Sequence, residues 1–182
     1  MSEFLMHREI VCKVFGMVFV LVAGIGGGLR YGRQQRQRLE QLRQLQQLIQ
    51  LLQGEIKYQC STLPEAFEHC GRQIDSVCGR WLLETGKRLN YMEGIGFGEI
   101  WEQQLTVLQE RTALNAGHIE DLRRFGNQLS YPDKETQLGA LEIYQQRLRE
   151  QEGNLTRELP VKMKLGTTLG LLAGVFLVIV LI

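Results

Sequence analysis

No stretch of this 182-residue chain alternates apolar and polar side chains in the manner of a half-buried strand, and only three prolines interrupt it. A chain with no strand signal and few breakers is read as all-α. Net charge is also scarce: 21 Lys and Arg stand against 20 Asp and Glu, for a formal charge of +1. That balance gives no overall pull toward nucleic acid. Histidine is nearly absent, and His7, His69 and His118 are scattered. There is no H-E-x-x-H, no P-loop and no Ser/His/Asp set at a credible spacing, so no catalytic residue is assigned and the chain is read as a non-enzyme. The four cysteines, Cys12, Cys60, Cys70 and Cys78, form no C-x-x-C pair. His69 beside Cys70 is a weak ligand hint against the ordinary reading of small, reduced core residues, and neither a metal nor a cofactor is expected. Gly94, Gly96 and Gly98 lack the G-x-G-x-x-G spacing and are read as a loop.

What the chain does have is two long apolar runs, one at each end. "LGTTLGLLAGVFLVIVLI", residues 165–182, carries no charge over eighteen residues. At about 1.5 Å per residue such a helix reaches roughly 27 Å, close to the thickness of a bilayer core. Gly166, Gly170 and Gly174 recur every fourth position on one face, a seam that admits close approach of another helix in lipid. A second run, residues 10–29, carries Gly24 and Gly28 at the same interval. Both runs are expected to be transmembrane helices, packed on each other or on a neighbouring copy. Arg30, Arg33, Arg36 and Arg38 follow the first run directly, and Lys162 and Lys164 precede the second. By the positive-inside rule both borders place the middle segment, 30–164, in the cytoplasm. The arginines could alternatively bind phosphate, and anionic lipid head groups are natural contacts for them at a membrane border. The rival reading is a cleaved signal peptide at the N-terminus, which would leave an exported helical interaction domain anchored by its C-terminus.

The middle segment reads as helix after helix. Leu42, Leu45, Ile49, Leu52 and Ile56 alternate steps of three and four, the seam of an antiparallel bundle. Thr62 and Glu65 form a capping box around Pro64, opening a helix with Leu63, Phe67, Cys70 and Ile74 inward. Another short helix is expected around residues 77–89, with Trp81, Leu82 and Leu89 buried. Two more follow, one with Trp101, Leu105 and Leu108 and one with Ile119, Leu122, Phe125 and Leu129 on their inner faces; Gly126 beside Phe125 marks a close helix crossing. Asp133 is the expected N-cap of a last long helix with a seam of Leu138, Leu141, Tyr144, Leu148, Leu155 and Leu159. Pro160 should kink or interrupt that helix before the final apolar run. The fold class is therefore an all-α antiparallel helical bundle between an N-terminal and a C-terminal transmembrane helix.

The ordered motifs "GEIKYQCSTLPEAF" (54–67), "EIWEQQL" (99–105), "TAL" (112–114) and "LRRFGNQLSYPDKETQ" (122–137), set between the two apolar runs, resemble those of the stage III sporulation protein AB family. The resemblance covers nearly the whole chain. It implies a channel complex linking mother cell and forespore, in the mother-cell membrane facing the forespore. The family is similar to the inner-membrane platform protein of type II secretion and type IV pilus systems, whose helical domains contact a secretion ATPase. The implied role is a scaffold whose cytoplasmic bundle docks an ATPase akin to stage III sporulation protein AA. Other membrane proteins of the complex, the lipid bilayer and possible further copies of the chain complete the expected partners. Within the motifs, Glu55, Tyr58, Glu65, Trp101 and Gln137 are candidate interface residues. Each also has a plainer reading: Glu65 as a cap, Trp101 and Tyr58 as core, Glu55 as a solvated helix face, Gln137 as a hydrogen bonder at a helix start.

Overall fold

The computed structural model describes residues 30, 32–59, 61–91 and 94–181, with side chains up to residue 158. Among the described residues all regular structure is helical. Helix α1 (32–54) continues into a π-helical turn, Glu55–Gln59. It is followed by α2 (Leu63–Gln73), α3 (Val77–Tyr91), α4 (Phe97–Arg111), α5 (Ala116–Leu129) and α6 (Lys134–Leu181). The chain divides into two compact units, Arg36–Leu155 and the pair of terminal stretches Met1–Gln35 with Thr156–Ile182. Of the latter, the described residues are 30, 32–35 and 156–181, all helical. No helix among the described residues is long and apolar enough to cross a membrane. The expected span 10–29, with Gly24 and Gly28, lies outside the described residues, as do the side chains of the expected span 165–182, which holds Gly166, Gly170 and Gly174.

The unit Arg36–Leu155 is an up-and-down bundle. Its outermost helices run antiparallel, for Arg43 pairs with Glu152 while Gln53 reaches Glu142. The α1 seam is buried as its spacing dictates: Leu42, Leu45, Ile49, Leu52 and Ile56 are at most 5% exposed. Burying a leucine-sized side chain contributes about 1.5–3 kcal/mol, so this stripe is enough to hold α1 down whatever the propensity of its many glutamines. Helix α2 begins where expected, the Glu65 carboxylate accepting from the Thr62 backbone N–H at 3.0 Å and hydroxyl at 2.8 Å, with Pro64 in the first turn.

Helices α2 and α3 form a hairpin with almost no gap between backbones. A Cβ at Gly71 would lie 2.5 Å from the Leu83 nitrogen, and one at Gly86 would lie 2.7 Å from the Pro64 oxygen. Only glycine fits at such a crossing. The α3–α4 turn holds Gly94 at φ 90°, a left-handed conformation suited to glycine. Gly96 is the N-cap of α4, and Gly98, expected in the loop, belongs to the first turn of that helix.

The core centres on Trp101, 2% exposed. Its ring lies 5.3 Å from that of Trp81, 5.6 Å from Phe97, 5.9 Å from Phe67 and 6.2 Å from Phe125. Both indole N–H groups are satisfied by carbonyls: Trp81 donates to Gln104 at 2.9 Å and Trp101 to Leu122 at 3.1 Å. The expected close crossing at Gly126 is real, since a Cβ there would collide with the Trp101 indole. Asp133 caps α6 through Thr136. Pro160 does not interrupt α6, which is helical through Leu181. An interior proline costs a helix about 3 kcal/mol, through one missing N–H bond and the crowding of its ring, and the bonds of the turns on either side can carry the helix past it.

Candidate functional site

Three connections share one end of the Arg36–Leu155 unit: α1–α2, α3–α4 and α5–α6. They are tied together by Lys134 Nζ, which donates to the Lys57 carbonyl at 3.0 Å, by Asn90, which donates to Glu68 of α2 at 2.7 Å, and by the Phe67 and Phe97 rings 6.5 Å apart. The opposite end holds the α2–α3 and α4–α5 connections beside the start of α1, where Arg38 donates to the Ala113 carbonyl and the Gln41 side chain accepts from the Ala113 N–H. Residues 36 and 155 are at that opposite end.

Among the described residues, the large apolar side chains left in water lie mostly at the three-connection end, with Ile143 on α6 the exception. Tyr58 is 76% exposed, Tyr91 82% and Tyr131 60%, one from each connection, with Ile95 beside them in sequence at the α3–α4 turn. A solvated tyrosine is ordinary; three brought to one end by three separate connections are a patch. Lys57 places its ammonium 5.4 Å from the Tyr58 ring centre, adding a cation to the aromatic face.

The five candidate interface residues separate into two groups. Tyr58 lies in the patch, and not in the core: it is two residues beyond buried Ile56, which turns it to the far side of the helix. Glu65 is exposed but engaged with Thr62, and those hydrogen bonds hold its carboxyl below the usual range. Gln137 closes the α5–α6 turn, its amide donating to the Leu129 carbonyl at 3.2 Å and the Tyr131 carbonyl at 2.8 Å. Glu55 is no solvated helix face. It is 6% exposed in the π-helical turn, accepting from Gln59 at 3.1 Å and Ser61 at 3.4 Å, with His69 Nδ1 at 3.7 Å. Seven residues past buried Leu48, it continues the inner face of α1 and fastens the α1–α2 connection to α2. Trp101 is core. Tyr58 therefore faces solvent, Glu55, Glu65, Gln137 and Trp101 hold the helices and their connections in place, and Tyr91 and Tyr131 are patch residues that sequence spacing did not single out.

Elsewhere the chemistry is muted. Burial pushes the Cys70 and Cys78 thiols up to about 12, with the Glu55 carboxylate adding to the effect at Cys70. Both are inert at neutral pH. His118 is shifted the other way: burial first, then nearby Arg38, disfavours its protonated form. Its Nδ1 faces the Asn115 N–H at 3.3 Å while Asn115 Oδ1 accepts from the His118 N–H at 2.9 Å, a capping box built on a neutral imidazole. Among the described residues no group of His, Cys, Asp and Glu could hold a metal ion. An apolar cavity of about 10 Å³, lined by residues such as Leu48, Trp81 and Phe125, has room for no more than a water.

These features define an all-helical, up-and-down bundle protein with an aromatic patch at one end. The sequence profile of the family described as stage III sporulation protein AB matches residues 13–182, and the chain belongs to that family. A solved structure described as stage III sporulation protein AB (SpoIIIAB) is similar in fold, with a TM-score of 0.62 at 22% identity, covering 68% of this chain and 97% of that one. No curated protein matches the chain. Family membership supports a component of the SpoIIIA sporulation complex, whose members are its expected partners.

Proposed function

We propose that the chain is a non-enzymatic platform of the sporulation channel complex, held in the mother-cell membrane by the runs 10–29 and 165–182, with a cytoplasmic bundle that docks a secretion-type ATPase through its tyrosine end. The observation that carries this reading is the gathering of Tyr58, Tyr91 and Tyr131 at the end of the Arg36–Leu155 unit remote from residues 36 and 155. Tyrosine is among the residues that dominate protein interfaces, because a rigid ring buries much area at little entropic cost. The likeness of the family to secretion platform proteins supports the ATPase as the occupant.

The test titrates the full-length chain in mild detergent with the ATPase. Binding at micromolar concentration is expected, and Tyr58→Ala/Tyr91→Ala/Tyr131→Ala should weaken it by at least tenfold with an unchanged thermal midpoint. Equal binding by wild type and variant, or no binding by wild type, ends the docking reading. Topology is tested separately. Cys70 and Cys78 are buried and inert, so replacing Cys12 and Cys60 by Ser and exposed Gln128 by Cys gives one reactive thiol. Protection from an impermeant maleimide in intact cells is expected; labelling would put the bundle outside the cytoplasm and favour the exported reading.

A further inference from the structure

The α4–α5 connection is tied to α1 at one residue. Ala113 donates its N–H to the Gln41 side chain at 2.8 Å, and its carbonyl accepts from Arg38 Nε at 2.8 Å. Both of its main-chain groups are thus taken by side chains one helical turn apart on α1. Buried Leu114 follows, and then the Asn115–His118 box that opens α5. Asn115, Ala116 and Gly117 are exposed, so the box is the main hold on this turn. The caps of α2 and α6 rest on carboxylates, Glu65 and Asp133, which hydrogen bonds from Thr62 and Thr136 hold below the usual range. The α5 cap rests instead on an imidazole. Nδ1 of His118 accepts from the Asn115 N–H, which requires a neutral ring with its proton on Nε2.

We propose that His118 is an acid-operated latch: on taking a proton from solvent it breaks the Asn115–His118 box and releases the α4–α5 connection from Arg38 and Gln41 of α1. The proton enters at Nδ1 and turns it from acceptor to donor, so two N–H groups then face each other across 3.3 Å. The charged groups that face the ring are Arg38 of α1 and Asp121 of α5. Arg38 repels an imidazolium. Asp121 is a weak counterweight, because its two oxygens already accept from Arg147 at 2.8 Å and Gln151 at 2.7 Å, both on α6. Burial and then Arg38 accordingly keep the ring neutral at pH 7 and place opening below the ordinary histidine value of about 6.5. Helix α5 itself is anchored in the core by Ile119 and Leu122, so the charged ring is relieved by swinging out with the exposed turn. Linkage bounds the effect: a ring that titrates near 6.5 once open raises the open population by at most about 30-fold between pH 7.5 and 5.0. The latch lies at the end of the unit opposite the tyrosines and is independent of the docking and membrane readings.

The test is hydrogen–deuterium exchange of the full-length chain in mild detergent at pH 7.5 and 5.0, read at single amides and corrected for intrinsic rates. In wild type, protection of the Ala113, Asn115 and His118 amides is expected to fall together by threefold or more, while that of Leu105 and Leu108 in α4 holds. H118Q supplies a side-chain carbonyl that can accept from the same N–H without titrating, as glutamine does in a capping box, and should stay closed at both pH values. H118N is a second neutral variant with the same expectation, and circular dichroism confirms which of the two folds as wild type does. Unchanged wild-type protection at pH 5.0, an equal fall in the folded neutral variant, or a fall shared by the whole of α4 and α5 overturns the latch. Loss at Asn115 and His118 with Ala113 still protected also overturns it, because the cap then opens without releasing α1.

Discussion

Replacing Gly126 by alanine tests the packing that organises the bundle. The added methyl would lie 2.5 Å from Trp101 Cδ1 and closer still to Nε1 and Cε2, where ordinary carbon contacts are about 3.5–4.0 Å. The indole must retreat by about 1 Å, and four aromatic rings surround it. The neighbouring cavity, about 10 Å³, cannot take the displaced ring. Overpacking of this kind costs about 1–3 kcal/mol. Pulling Nε1 away from the Leu122 carbonyl adds about 1 kcal/mol, and the better helix propensity of alanine returns about 1 kcal/mol. The net loss is then about 1–3 kcal/mol, enough to move a urea midpoint by on the order of 1 M.

The assay is urea unfolding of the purified chain, followed by circular dichroism, for wild type, Gly126→Ala, Trp101→Leu and the double variant. If the clash with the indole is the cause, Gly126→Ala should cost nothing in the Trp101→Leu background, or stabilise it, because the methyl then enters space the indole has vacated. The coupling should be about 1–3 kcal/mol, as for residues in direct contact. An equal cost in both backgrounds would refute the reasoning, as would a midpoint for Gly126→Ala indistinguishable from wild type.

Three further outcomes are expected. Trp101→Ala should lower stability by about 3–5 kcal/mol in the same urea assay, the usual range for emptying a large aromatic site. Gly86→Ala should destabilise by about 1–3 kcal/mol, because its methyl meets the Pro64 oxygen at 2.7 Å and the Glu68 nitrogen at 2.9 Å, both backbone atoms that cannot swing aside. His118 should make stability acid-sensitive. Its folded-state pKa is lowered, so the unfolded chain takes up the proton first; the contribution is complete above the ordinary value of about 6.5 and is lost as pH falls through it toward the lower folded value. Thermal midpoints should therefore decline between pH 7.5 and 5.5 in wild type, and decline less in His118→Asn.

The helices were legible because their signals are local and periodic. The α1 seam, the Thr62–Glu65 cap, the Asp133 cap and the inner faces of α4 and α5 all lie where spacing put them. Gly126 was legible too, a glycine beside an inward aromatic. Gly71, Gly79 and Gly86 were not, because a lone glycine in a helical pattern looks only like a weak helix former until its partner helix is known. Glu55 was misread through its charge: its position continues the buried face, but the groups that satisfy it arrive four, six and fourteen residues later, from a turn and a second helix. The tyrosine patch joins residues as far apart in sequence as Tyr58 and Tyr131, and no local pattern connects them.

The patch and the core are linked by register. Trp81 hydrogen-bonds α3 to α4 and Trp101 hydrogen-bonds α4 to α5, each through a buried indole and a main-chain carbonyl. Sliding either helix by one turn would strand a buried donor, at about 1–3 kcal/mol each, and would drive the indole off the notch at Gly126. The heights of the α3–α4 and α5–α6 connections are thus fixed from below, while Gln137 and Lys134 fix the latter against Tyr131 and the α1 turn. Tyr58, Tyr91 and Tyr131 are in consequence offered on a preset surface whose ordering cost is met in folding. A partner that docks there has little left to organise, and weakening the core should weaken docking even where no contact residue is touched.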